Sequence, residues 1–172
     1  MRTLPVVIAV ALSLDLTPCA APPFGAPSSA HELHHSLVAP VDSLRHLLRA
    51  RNSGFASALR AVVRDSANFR RLWAEALRGE PRAPTMPPID FGRDMVIVAA
   101  AGSMPSTGFG ITIDSVIVRE PSLEVHEVLS SPGTLCLQGM ELTNPVDVVL
   151  VPKSFRVVVF RDRQVTVECK MR

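Results

Sequence analysis

The pattern with the clearest chemical meaning is His31-Glu32-Leu33-His34-His35, which matches H-E-x-x-H. On a helix this spacing places two zinc ligands one turn apart, with a glutamate base between them. Here the motif follows a proline-rich stretch, and Pro40 interrupts the segment soon after it. Val38 and Val41 stand where the extended zinc-protease pattern requires Gly and His. We therefore expect no metal site in this segment.

Other catalytic patterns are missing from the sequence. The serines include no G-x-S-x-G elbow, and there is no phosphate-binding loop and no C-x-x-C pair. Asp90, Asp94 and Asp114 lie near the ends of predicted strands, where they could flank a cleft and act as a general acid and base. Turn and edge residues are the simpler interpretation. His46 and His126 are isolated in the sequence and are expected at the surface. We expect a protein that is not an enzyme and that needs no cofactor.

The remaining candidate for function is the loop from Gly102 to Gly110, between two predicted strands. Its small and polar residues are typical of an ordered, protruding turn, and Gly108 is expected to have a positive φ. Loops carried by a rigid sheet often hold recognition residues. The alternative is a tight connection that only lets an aromatic residue enter the core. The candidate partner-binding residues are Met104, Pro105, Ser106, Thr107, Gly108 and Phe109.

One amphipathic helix is predicted before this loop. It begins near Asp65 or Ser66, which are good N-cap residues, and ends near Arg78-Gly79. Its apolar residues recur at i, i+3, i+4, i+7 and i+8 and form one stripe. They are Phe69, Leu72, Trp73, Ala76 and Leu77. A weaker helical spacing of leucines also occurs within Val41 to Ala50.

Most of the remaining chain is predicted to be β-strand. Met95 to Ala100 is continuously apolar, as expected of a central strand covered on both faces. The next strand changes its apolar phase, which predicts a bulge around Asp114-Ser115. The fold class is therefore α+β, a mostly antiparallel β sandwich or small barrel with one helix packed on it. The other predicted strands are Leu59–Arg64, Leu123–Leu129, Val146–Val151, Arg156–Phe160 and Val165–Cys169, with a turn at Arg161–Gln164 before the last.

The N-terminus has the features of an export signal. Arg2 precedes an apolar segment, Leu4 to Leu14, that is shorter than the about 20 residues needed to span a bilayer. Leu16-Thr17-Pro18-Cys19 resembles a bacterial lipobox, in which Cys19 would carry a lipid anchor. The alternative is cleavage after Ala30 and release of the protein. Both predict export, either as a cell-envelope lipoprotein or as a periplasmic or secreted protein. We divide the chain into a signal (1–19), a Pro/Ala/Ser-rich tether (20–40) and a domain (41–172).

Composition and cysteine count agree with an exported globular domain. The formal net charge of +2 argues against a nucleic-acid partner. Once Cys19 is lipidated or removed, Cys136 and Cys169 remain as a candidate disulfide in an oxidising compartment. Such a bond could stabilise the domain by about 3–4 kcal/mol. The alternative is two reduced, buried cysteines.

Seven short pieces between Phe69 and Lys153 carry a resemblance to a known family. They are Phe69–Trp73, Ile89–Phe91, Met95–Ile97, Met104–Phe109, Ser131–Gly133, Asn144-Pro145 and Val151–Lys153. On these pieces the stretch resembles the C-terminal domain family of the protease-complex subunit PrcB. In that family the loop usually reads Gly-Gly-Tyr after Pro-Ser or Pro-Thr, whereas Thr107 and Phe109 stand here. The resemblance implies an accessory domain that binds and stabilises a protein partner, such as a cell-surface protease.

A second resemblance gives an alternative function. Pro105-Ser106-Thr107-Gly108-Phe109 is similar to the Pro-Thr-Thr-Gly-Tyr loop of the chagasin-type cysteine-protease inhibitors, which are β-sandwiches. Those inhibitors also have a G-x-G-G loop and a late Arg-Pro-aromatic loop, and this sequence has neither. The alternative is therefore an inhibitor that acts through the loop 102–110.

Overall fold

The computed structural model describes residues 38–39, 44–78, 80 and 82–170. The predicted signal with Cys19, the motif His31–His35 and most of the predicted tether lie outside the described residues. Eight strands and one helix are present in the described part of the chain. They are β1 (Val38–Ala39), β2 (Arg45–Ala50), β3 (Leu59–Val63), α1 (Ser66–Ala76), β4 (Asp94–Ala100), β5 (Gly110–Arg119), β6 (Ser122–Pro132), β7 (Val146–Pro152) and β8 (Val157–Val167).

The strands form two four-stranded sheets, ordered β1-β5-β6-β8 and β2-β7-β4-β3. Neither sheet closes into a barrel, so the fold is an α+β sandwich. Neighbouring strands are antiparallel except β6 and β8, which run parallel. The chain leaves the first sheet after β6, crosses to the other sheet as β7, and returns as β8. The predicted fold class is confirmed.

The sheet that contains β4 is the middle layer. Met95, Ile97 and Ala99 face the other sheet, where they join one apolar core. The residues between them face α1 and join a second core. Strand β4 is therefore buried along nearly its whole length, as its continuous apolar sequence predicted.

Helix α1 begins and packs as its sequence predicts. The Asp65 side chain accepts a hydrogen bond from the Asn68 backbone N–H at 2.8 Å, which caps the first turn. Phe69, Trp73 and Ala76 are buried against the sheet. The Phe69 and Trp73 ring centroids lie 5.5 Å apart. The lone tryptophan is thus part of the second core.

The leucine spacing within Val41–Ala50 indicated a helix, and this interpretation was wrong, because Arg45–Ala50 is the strand β2. Leu44 lies in the core between the sheets, whereas Leu48 lies in the core beneath the helix. In a regular strand, residues four apart point to the same face. A register shift between His46 and Leu48 reverses the phase, so the leucines serve opposite faces. That irregularity produced the helix-like spacing.

The predicted turn at Arg161–Gln164 was also wrong. Strand β8 runs without interruption from Val157 to Val167 and pairs with β6 over its whole length. It is the outermost strand of its sheet, so its charged side chains remain in water while the backbone is extended. The predicted bulge, by contrast, is present in β5 between Ile113 and Ser115. Val38 and Ala39, within the segment predicted to be a tether, pair with β5.

Candidate functional site

The loop 102–110 leaves β4 through a tight turn. Gly102 has a φ of +80°, and a Cβ there would lie 2.8 Å from the backbone nitrogen of Ala58. Gly108 has a φ of +94°, the conformation expected of it. Met104 and Thr143 exchange two backbone hydrogen bonds, of 2.7 and 3.0 Å. The loop is therefore fixed to the segment that precedes β7.

The hydroxyl groups of the loop are bonded to a second loop, residues 133–145. The Ser106 hydroxyl donates to the Gln138 side-chain oxygen at 2.6 Å. The Thr107 hydroxyl accepts from the Gly139 backbone N–H at 2.6 Å, and the Thr107 N–H donates to the Gly139 carbonyl at 3.0 Å. Ser106 and Thr107 thus support the second loop, and their polar groups have partners within the domain.

Asn144 anchors the far end of the second loop to two other segments. Its amide nitrogen donates to the Phe55 carbonyl at 3.0 Å and to the Ser103 hydroxyl at 3.3 Å. Its backbone carbonyl accepts from both the N–H and the hydroxyl of Ser53. Asn144 therefore holds together the loop after β2, the loop 102–110 and the second loop.

A disulfide joins Cys136 in the second loop to Cys169, just after β8. Their Cα atoms are 5.0 Å apart. The Gly133 N–H also donates to the Val167 carbonyl at 2.9 Å. The second loop is consequently attached at three places: to the loop 102–110, to Asn144 and to the end of β8.

The second loop presents apolar side chains to solvent despite these attachments. Leu137 and Met140 are fully exposed, and Leu135 and Leu142 are more than half exposed. We call these four residues the apolar crest. Monomeric proteins rarely expose large apolar patches without a function in binding. Four of the eight large apolar side chains that are exposed among the described residues belong to this one loop.

A small pocket opens beside the loop 102–110, at the mouth of the sandwich. Its volume is about 170 Å³, close to that of an engineered cavity able to hold benzene. Apolar side chains form much of its wall, and serine and glutamine residues complete it. The lining residues are Met104, Phe109, Gly110, Leu129, Ser130, Ser131 and Gln164.

Asp147 of β7 is fully buried and bridges the two sheets. It accepts a hydrogen bond from the Ile113 backbone N–H of β5 at 2.7 Å, next to the bulge. The His46 ring nitrogen Nδ1 lies 2.8 Å from its other oxygen. Burial raises the pKa of Asp147, while His46 and the Ile113 amide oppose the rise. The expectation that His46 is an isolated surface residue was wrong, because a buried carboxylate binds it.

Glu127 of β6 is the second buried carboxylate, with 1% of its surface exposed. It forms an ion pair with Arg60 of β3, on the opposite sheet. Burial raises the pKa of Glu127, and the Arg60 guanidinium opposes the rise. One carboxylate oxygen, Oε2, has no hydrogen-bond partner among the described residues. This ion pair connects the two sheets across the core.

These buried groups do not form a catalytic arrangement. His46 Nε2 lies 2.6 Å from an Arg49 guanidinium nitrogen, so a cation occupies the position that a nucleophilic hydroxyl would need. Asp90 accepts from the Gly92 N–H at 2.9 Å, as expected of a turn residue. Within the described residues, no three histidine, cysteine or acidic side chains lie close enough together to hold a metal ion.

Sequence reasoning identified the loop 102–110 but missed the crest. The crest segment reads Leu-Cys-Leu-Gln-Gly-Met-Glu-Leu, an apolar run between the turn signals Pro132-Gly133 and Asn144-Pro145. That run resembles a short strand, and only its position outside both sheets shows that its side chains are uncovered. A cysteine within an apolar run flanked by turn residues was the available signal.

Comparison with known proteins confirms the family resemblance from β4 to β7, whereas the pieces Phe69–Trp73 and Ile89–Phe91 lie outside the match. Residues 95–152, about one third of the chain, match the family described as PrcB C-terminal. The matched segment runs from β4 to β7 and includes both loops. No curated protein and no solved structure matches the chain. No helix in the described part of the chain is long and apolar enough to cross a membrane.

Proposed function

We propose that this protein is an exported, non-catalytic accessory domain that binds and stabilises a partner protein, and that the partner is a cell-surface protease. The match to the PrcB C-terminal family supports the accessory role and the protease as the kind of partner. The export signal read in residues 1–19 supports the location, and Cys19 is the proposed anchor if the protein is lipidated. A disulfide also suits an oxidising compartment.

The observation that carries this proposal is the exposure of the apolar crest. Burying a leucine or methionine side chain contributes about 1.5–3 kcal/mol, so covering the crest would favour association strongly. The attachments through Thr107, Asn144 and Cys136 order the crest before any partner arrives. A preordered loop loses less conformational entropy on binding. The crest is therefore both apolar and preorganised.

The inhibitor alternative has less support from the geometry. It requires a free, protruding loop 102–110 that enters the cleft of a protease. Ser106 and Thr107 are instead bonded to the second loop, and Phe109 lines the pocket at the mouth of the sandwich. The loop 102–110 acts mainly as a support for the crest.

Affinity capture with matched variants tests the proposal. The full-length protein would be immobilised and exposed to an envelope extract of its own organism. We expect it to retain a peptidase, and we expect Leu137→Ser/Met140→Ser to lose that peptidase. Met86→Ser is the control, because Met86 is an exposed apolar residue that belongs to neither loop. Equal capture by the crest variant and the control would contradict the proposal.

Two further measurements separate the alternatives. Addition of the protein should lengthen the lifetime of the captured peptidase if it is a stabiliser, and should lower the rate of peptide cleavage if it is an inhibitor. Ser106→Ala and Thr107→Ala should weaken capture with little change in melting temperature, because they loosen the crest and leave both cores intact. Unfolding of the domain by these changes would show that the loop is only structural.

A further inference from the structure

We propose that the open side of the sandwich, along the outer edge of β8, binds an extended segment of the partner in which apolar and acidic residues alternate. This inference rests on the proposed function and specifies a second contact with the same partner. It depends on strand pairing and charge, and is independent of the apolar crest.

Strand β8 offers an unpaired edge of eleven residues. It pairs only with β6, and no strand of the described chain covers its other side. Each residue of a strand has one backbone donor and one acceptor, and in an edge strand half of these groups point away from the sheet. An extended segment can bind to such an edge through main-chain hydrogen bonds.

The inward face of β8 is only partly covered. By register, Val158, Phe160, Asp162 and Gln164 lie on the same side as the core residues of β6. Val158 and Phe160 are only half-buried, and Asp162 and Gln164 are exposed. An added strand would direct alternate side chains onto this row. Apolar side chains fit these positions.

Two recesses mark the ends of this open side. The pocket of about 170 Å³ at the mouth of the sandwich includes Gln164 of β8. At the other end, a shallow depression is lined by Val62 of β3, by Arg64 just after that strand, and by Val158 of β8. Its lining shows that the edges of the two sheets border the same opening. The pocket is large enough for one apolar side chain of the bound segment.

The outward face of β8 determines which side chains are favoured at the outward-pointing positions of the bound segment. Arg161 and Arg163 are exposed and occupy two consecutive outward positions in the middle of the strand, between Val159 and Val165. Arg161 also donates a long hydrogen bond to Glu124, at 3.5 Å. Between residues 156 and 167 the chain has three arginines and one aspartate. Side chains of an added strand that point outward would lie beside these guanidinium groups, so carboxylates are favoured there.

Binding of synthetic peptides to the full-length protein tests this inference without the natural partner. The probe is a peptide of alternating valine and glutamate. The first control replaces glutamate by lysine, and the second carries N-methyl groups on alternate backbone amides. We expect the valine–glutamate peptide to slow amide hydrogen exchange within Val157–Val167. Both controls should bind at least about tenfold more weakly, because charge and backbone pairing are each required.

Variants of the protein complete the test. Arg161→Glu/Arg163→Glu should reverse the preference in favour of the lysine peptide, whereas Arg70→Glu/Arg71→Glu on the exposed side of α1 should not. Absence of protection in β8, or tolerance of the N-methyl groups, would overturn the inference. Leu137→Ser/Met140→Ser should leave peptide binding unchanged. Failure of the peptide with intact crest-dependent capture would overturn only this inference, while loss of crest dependence would overturn the proposed function.

Discussion

Removal of the Arg60 side chain should lower the free energy of unfolding, because it leaves the buried Glu127 carboxylate without its ion-pair partner. Arg60 is 24% exposed and also donates to the Ala100 carbonyl at 2.7 Å, whereas Glu127 is almost fully buried. Arg60→Leu leaves the Glu127 charge without a partner in the core. Breaking a buried pair in this way costs about 3–5 kcal/mol, and we expect about 3 because Arg60 is partly solvated.

The pH dependence of this penalty identifies its source. An unpaired, buried Glu127 can take up a proton in place of its lost partner, so the penalty should fall by up to about 1.4 kcal/mol for each unit that the pH is lowered. Glu127→Leu should be milder, because Arg60 can still reach the Ala100 carbonyl and water. The double variant Arg60→Leu/Glu127→Leu should be near the wild-type stability, since it buries no charge.

Urea denaturation of the four proteins at neutral and mildly acidic pH measures these differences. Arg156→Leu is the control, because its ion pair with Glu120 is exposed and should matter little. A double variant as unstable as Arg60→Leu alone would show that the unpaired Glu127 charge is not the source of the penalty. A penalty for Arg60→Leu that does not change with pH would show the same.

Three further outcomes can be measured on the same protein. Trp73→Ala should cost about 3–5 kcal/mol in thermal unfolding, because it empties the core beneath α1, and retained stability would show that the core tolerates the cavity. Cys136 and Cys169 should resist thiol labelling until a reductant is added, and labelling of the untreated protein would contradict the disulfide. Burial raises the pKa of Glu127 and Asp147, so the folded state binds their protons more tightly than the unfolded chain does. Stability should therefore rise as the pH falls from neutral through the folded pKa values, until the unfolded carboxyls protonate near about pH 4. Asp147→Asn should reduce this rise, and an unchanged slope of unfolding free energy against pH would contradict the assignment.

Local patterns in the sequence predicted the elements that have one regular environment. Helix α1 has a single apolar stripe and a capping aspartate, and β4 is apolar throughout because both of its faces are covered. The β5 bulge was visible as a change of apolar phase near Asp114. In each case the signal lies within a few consecutive residues, so no knowledge of distant contacts was needed.

The elements that were missed depend on contacts distant in sequence. The β2 bulge mixes residues of two cores into a helix-like spacing. The continuity of β8 depends on its pairing with β6, because the sequence Arg161–Gln164 alone resembles a turn. The links from Thr107 to Gly139 and from His46 to Asp147 join residues that no local pattern connects. The sequence therefore indicated the loop 102–110 as a candidate, but it did not indicate the apolar crest.

The crossing of the chain between the sheets also sets an order of assembly. Among the strands that the structure describes, β7 is the only neighbour of β2 and separates it from β4, so this sheet is incomplete until residue 152 has been made. The second loop, which carries the crest, is tied by a disulfide to Cys169, just after β8. A nascent chain that emerges from its N-terminus can form the β5–β6 hairpin early, but contacts between distant segments come late. The crest is thus fully attached only once residue 169 has been made, and a shorter chain lacks the disulfide that holds it.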